Sequence, residues 1–168
     1  VYKTSGSIKL NDKELLDLGV TERAEEGLFM SFQSPPSIPG ITNYKLISQF
    51  SKQYEKYLDD INTLRLQSGW AQRDFNDGAS GGEKKKNEIL QLLHINPKLV
   101  ILDELDTGLD VDALKNVKQV VNEYREKFGW IVISHSSAVL KELNPTYVHI
   151  LQDGKIGKTG NVDLLDTI

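Results

Sequence analysis

Apolar positions along the chain follow two rhythms: short runs of strand length, and longer stretches where apolar residues return every third or fourth place. Residues 28–33, 99–102 and 130–133 are runs of the first kind. Between and after them, Ile89, Leu92 and Leu93, and then Leu114, Val117, Val121 and Tyr124, fall at helical spacing. Strands alternating with amphipathic helices predict an α/β fold built on a parallel sheet. The run Leu99–Leu102, apolar at every position, suits a strand buried on both faces of that sheet. An earlier stripe of Phe50, Tyr54, Tyr57, Ile61 and Leu64 predicts one long amphipathic helix over residues 43–66.

Turn formers divide these runs. Asn96-Pro97 stops the helix that starts after Ser80, and Gly129 is placed to close the next one. Near the start, residues 7–10 read as a short strand before an Asn11-Asp12 turn, and Thr21 begins a short helix that ends near Gly27. Residues 34–40, Ser-Pro-Pro-Ser-Ile-Pro-Gly, predict an extended linker without regular pairing. Residues 69–78 read as a polar connector. Around Asp153-Gly154, residues 147–151 and 155–156 form a hairpin pattern with a primed turn, followed by a short acidic helix.

Charge and composition narrow the function. A net charge of −4, with both signs spread along 168 residues, offers no basic stripe for nucleic acid. There is no cysteine, hence neither a disulfide nor a thiolate to hold a metal cluster. No apolar run approaches the roughly 20 residues that span a bilayer. The length predicts one domain, with a lobe inserted into it.

The chemistry gathers in two places. Asp103 falls at the carboxyl end of an apolar strand, where open α/β sheets present their ligands. A carboxylate there can hold a hydrated Mg²⁺, and Glu104 beside it can orient or deprotonate a water aimed at a terminal phosphate. The pair by itself also fits a solvated strand end. Upstream, Ser80-Gly81-Gly82-Glu83 has the spacing of a capping box. A plain cap has no use for glycines at the first two helical positions, each costing about 1 kcal/mol relative to alanine. They let a phosphate approach bare N–H groups at the positive end of the helix, with the Ser80 hydroxyl as a further donor. His135 arrives one crossover after the Asp-Glu pair, at the same sheet edge, whereas His94 and His149 lack such a setting and read as structural. No Gly-x-x-x-x-Gly-Lys-Ser/Thr phosphate loop occurs in the 168 residues.

These segments, taken in order, resemble the ABC ATPases. Gln33 is similar to the Q-loop glutamine, Ser80-Gly81-Gly82-Glu83 to the signature, Asp103-Glu104 to the end of Walker B, Thr107-Gly108-Leu109-Asp110 to the D-loop and His135 to the switch histidine. Within that superfamily the strings Glu22-Arg23-Ala24, Ile38-Pro39-Gly40, Glu83-Lys84-Lys85-Lys86-Asn87 and Asp106-Thr107-Gly108-Leu109-Asp110-Val111-Asp112-Ala113-Leu114 most resemble the SufC-type ATPases of iron–sulfur cluster assembly. Departures are Ala79 for phenylalanine, Lys86 for arginine, Leu105 for threonine, and Ser134-His135-Ser136 for a Thr-His-Tyr type switch.

The resemblance implies a P-loop NTPase fold of ABC type with an inserted helical lobe over about residues 41–78, a catalytic part over 79–168, and an amino-terminal segment with the phosphate loop lying outside these residues. It implies ATP and Mg²⁺ as ligands. Asp103 and Gln33 would be on the metal side, Glu104, His135 and Gln33 catalytic, and Ser80, Gly81, Gly82, Glu83 and Asp110 nucleotide-binding across a head-to-tail homodimer. SufB- and SufD-like scaffolds would be the partners, in the cytoplasm or a plastid stroma, with no nucleic acid and no membrane insertion. The alternatives are the nucleotide-binding subunit of a membrane transporter, or a non-catalytic docking module of ABC origin. The chain by itself is expected not to hydrolyse ATP.

Overall fold

A computed structural model describes residues 3–104 and 111–167. At its centre is a three-stranded parallel sheet of β3 (Leu28–Ser31), β6 (Leu99–Leu102) and β7 (Gly129–Val132), with β6 in the middle. Leu28 lies opposite Leu99 and Leu99 opposite Gly129, so the three strands end level with one another at Ser31, Leu102 and Val132. Alternation then decides which side chains are covered. Phe29, Val100, Leu102, Trp130 and Val132 join the core formed with helices α4 (Gly81–Ile95) and α5 (Val111–Glu123). Met30, Ile131 and Ile133, of opposite parity, are exposed. The expectation of a central strand buried on both faces therefore fails among the described residues: Leu99 and Ile101 are only half-buried, because α4 and α5 pack on one face alone.

Helix α4 organises the fold. Ser80 caps its start, Ile89, Leu90 and Leu92 bury its inner face, and Asn96 ends it at φ 55°, a left-handed position that asparagine tolerates. Helix α5 ends before Gly129, which instead opens β7, where a Cβ would lie 3.2 Å from Leu99 Cδ1. Gly129 is thus selected by close strand approach and not by a helix end.

Residues 38–78 differ most from expectation. Ile38–Thr42 is not a free linker but strand β4, paired antiparallel with β5 (Asp74–Phe75). The register shifts between Ile38 and Thr42, an irregularity that accommodates Pro39, which has no N–H to give a ladder. The single long helix is two, α2 (Asn43–Ile47) and α3 (Tyr54–Thr63). Serine side chains take up the backbone groups at the break: Ser48 Oγ donates to the Lys45 carbonyl at 2.8 Å and Ser51 Oγ accepts from Gln53 N at 3.4 Å. Phe50 is left exposed between the helices, while Tyr57, Ile61 and Leu64 share one core with α4. Residues 69–78 are not simply polar either, since Trp70 and Phe75 are buried and Trp70 opens a 3₁₀ turn.

Elsewhere the reading holds. A hairpin joins β1 (Lys9–Leu10) and β2 (Lys13–Glu14) through Asn11 and Asp12 at positive φ, and α1 spans Val20–Glu25. A second hairpin joins β8 (Val148–Gln152) and β9 (Lys155–Gly160) through Asp153 and Gly154, both at positive φ, and a 3₁₀ helix follows over Val162–Thr167. Helix α6 (Ser137–Glu142) lies between β7 and β8. No helix among the described residues is long and apolar enough to cross a membrane.

Candidate active site

Three adjacent parallel strands deliver their next residues to one edge of the sheet. Gln33 follows β3, Asp103 and Glu104 follow β6, and Ser134 and His135 follow β7. Glu104 adopts φ 46°, a left-handed conformation costing a non-glycine residue about 1 kcal/mol. Gln33 Nε2 donates to Glu104 Oε2, and His135 Nε2 lies 3.8 Å from Glu104 Oε1. The carboxylate thus stands between a neutral amide and an imidazole whose side chain is 87% exposed, open to a ligand arriving from solvent. With the amide nitrogen of Gln33 turned to Glu104, its carbonyl oxygen remains as an acceptor.

The donor set suits magnesium, which keeps most of its waters and takes one or two protein oxygens. Asp103 and the Gln33 carbonyl could supply such oxygens. No group of three or more His, Cys, Asp or Glu that could cage a metal exists among the described residues.

The second expected cluster forms a complete capping box. Ser80 Oγ accepts from Glu83 N at 3.3 Å, and Glu83 Oε2 accepts from Ser80 N at 2.9 Å. Arg73 lies 3.9 Å from Glu83. Gly81 and Gly82 occupy the first helical turn, and a cleft of about 300 Å³ lies between Gly81, Ala79 and Lys84 on one side and Gln33, Ser34 and Pro35 on the other. Residues 105–110, and with them Asp110 and the rest of the D-loop-like string, lie outside the described residues. His94, on α4, is buried against α3, its Nε2 3.0 Å from Asp60 Oδ2 but off hydrogen-bond alignment, and His149 sits on β8 against Thr159.

Sequence reasoning missed the buried polar residues behind this edge. Lys85 and Glu88, one helical turn apart on α4, are 5% and 6% exposed and pair at 3.1 Å. Asn43, Asn76 and Asn87 are buried together. One available signal was an acid and a base three residues apart, on the helix face that also carries Ile89 and Leu92.

Comparison with known proteins gives the family and the fold. The sequence profile of the ABC transporter family matches residues 1–107. Vegetative protein 296 of Bacillus subtilis is 41% identical over 175 residues, 96% of this chain and 67% of that protein. The probable ATP-dependent transporter SufC of Escherichia coli is 38% identical over 178 residues, 96% of this chain and 72% of the relative. Among solved structures, the dimeric post-hydrolysis state of the ATP-binding cassette MJ0796, bound to ADP and Pi, superposes with a TM-score of 0.77 at 18% identity, covering 95% of this chain and 74% of that one.

Proposed function

The chain belongs to the ABC transporter family of ATP-binding proteins, and from that premise we propose that its sheet edge is the hydrolytic half of an ATPase site serving iron–sulfur cluster assembly. The observation that carries the reading is the meeting of Gln33, Glu104 and His135 at the ends of three neighbouring strands. Glu104 accepts the proton of the attacking water, His135 donates to the γ-phosphate, and Gln33 reports on that phosphate from the metal side. Asp103 and the Gln33 carbonyl hold the waters of Mg²⁺, which when bound neutralises phosphate charge. Gly81 and Gly82 present their N–H groups and Ser80 its hydroxyl to the nucleotide of a second copy, Glu83 holds that turn through the capping box, and Asp110 couples the two sites across that head-to-tail interface. The β- and γ-phosphates need a phosphate loop, which these 168 residues do not contain.

The assembly role rests on the SufC-like strings and on the 38% identity to the Escherichia coli protein. In this reading SufB- and SufD-like scaffolds dock on Ile38 and the exposed Phe50, Tyr54 and Leu58 of the lobe, in a cytoplasmic or stromal compartment.

The test joins the chain in frame to a phosphate-loop segment of this fold. Glu104→Gln then keeps Mg-ATP binding, stops turnover and accumulates a dimer in sedimentation, because the amide holds water but cannot take its proton. A variant no more dimeric than its parent in Mg-ATP overturns the role of Glu104. Charges placed at Ile38 and Tyr54 weaken binding to SufB- or SufD-like partners while the fold survives. Unchanged partner binding puts the docking surface elsewhere and removes the structural support for this partner assignment, whereas co-purification with an integral membrane protein decides for the transporter alternative.

A further inference from the structure

Both ends of the segment that carries Gln33 are fastened to the same helix. At the near end, Phe32 gives its N–H to Glu88 Oε1 at 2.8 Å, and its carbonyl accepts from Lys85 Nζ. Ser31 Oγ, just before, donates to Glu88 Oε2 at 2.7 Å and accepts from Lys85 at 2.9 Å. These bonds are charge-assisted and shielded from water, the strongest kind a protein makes. At the far end, the Pro36 carbonyl accepts from Asn76 Nδ2 at 2.9 Å, and Ser37 Oγ donates to the Asn76 carbonyl at 2.9 Å. Asn76 Oδ1 in turn accepts from Asn87 Nδ2 at 2.9 Å. Asn87 sits on α4 between Lys85 and Glu88, with its amide fully used: it also donates to Asn43 Oδ1 at 2.8 Å and accepts from Trp70 Nε1 at 3.0 Å.

Between the two fastenings lie only Gln33, Ser34 and Pro35, with Pro35 and Pro36 fixed in φ. So short and stiff a bridge has little slack. Both sets of connections lead to α4, whose first residues are Gly81 and Gly82.

We propose that Lys85, Glu88 and Asn87 are positioning residues that hold the Gln33–Pro35 bridge on α4, so that Gln33 and the glycine pair at the helix start move as one body. Asn43, the first residue of α2, hangs on the same Asn87 amide, so the lobe is tied to α4 as well as to the chain that follows Pro36. The geometry stands by itself; its meaning for turnover rests on the ATPase reading, where a change felt at Gln33 becomes a displacement of the surface offered to a second nucleotide.

Since the chain has no cysteine, Ser34→Cys with Lys84→Cys gives two unique nitroxide sites across the cleft. Pulsed dipolar spectroscopy of the 168-residue chain, without nucleotide, reads the distance distribution between them. The parent gives one narrow distribution. The paired swap Lys85→Met/Glu88→Leu removes both charges together and leaves no lone buried ion; it widens the distribution about twofold by releasing Phe32. Lys85→Met/Glu88→Gln, which keeps an acceptor oxygen for the Phe32 N–H and again leaves no lone buried charge, restores the narrow form. If the paired swap does not fold, Ser31→Ala/Ser37→Ala, which loosens each end mildly, carries the test and broadens the distribution in the same sense. Equal widths in every folded variant overturn the proposal. Because no nucleotide enters the experiment, that failure would leave the ATPase reading to stand or fall on Glu104→Gln.

Discussion

Replacing Trp70 by phenylalanine removes the indole N–H that Asn87 Oδ1 accepts at 3.0 Å. Asn87 is fully buried, so no water can take the vacated place, and an orphaned buried acceptor costs about 1–3 kcal/mol. Trp70 is 1% exposed, and the ring volume lost to phenylalanine adds about 1 kcal/mol for the space left behind. The Arg73 guanidinium, 4.9 Å from the indole centroid, loses part of its cation–π partner, worth about 0.5–1 kcal/mol. The sum is about 2.5–5 kcal/mol, equivalent to a fall in melting temperature of roughly 5–20 °C for a chain of this size. Trp130 is the control. It is half-buried on β7 and its Nε1 makes a longer bond, 3.3 Å, to the Tyr124 carbonyl, so Trp130→Phe costs about 1 kcal/mol. The chain has two tryptophans, so urea unfolding followed by circular dichroism gives each free energy while fluorescence of each single variant reports the remaining indole. Equal losses for the two variants, or a loss below about 1 kcal/mol for Trp70→Phe, would refute the account of a closed buried network.

Other outcomes follow from local geometry. Burial pushes the Asp60 carboxyl up, but His94 at 3.0 Å and Lys56 at 2.6 Å outweigh it and hold it below the ordinary carboxylate value. Its folded value lies under the unfolded one, so the stabilisation is present above about pH 4 and is lost as pH falls through the folded value; His94→Leu should flatten that acid limb in urea titrations between about pH 2 and 5. Gly27→Ala should cost about 2 kcal/mol, since Gly27 holds φ 96° and a Cβ would meet Lys98 Cγ at 2.9 Å and Lys98 N at 3.1 Å; an unchanged unfolding midpoint would contradict it. Ser80→Ala should lose about 1 kcal/mol of stability through the cap alone, measured without nucleotide.

The sequence by itself determined the strand–helix–strand frame, the position of Asp103 at a strand end, the cap at Ser80 and the hairpin at Asp153-Gly154. Each of those depends on neighbours a few residues apart: a period of apolar side chains, a hydroxyl three residues from an acid, a pair of turn residues. Tertiary structure decided what depends on distant segments. Pro39 argued against pairing, yet residues 74–75 come to lie beside β4 and an irregular register passes over the proline. Phe50 fitted the apolar stripe, but side chains of Ser48 and Ser51 captured the backbone and split the helix. Gly129 had the look of a helix end, whereas its lack of a side chain serves Leu99 on the neighbouring strand. Trp70 and the three asparagines, strewn across residues that read as polar, became one buried network because α4, α2 and the turn before β5 converge there. A polar side chain can be buried only when its partners arrive from elsewhere in the chain, and no local pattern announces their arrival.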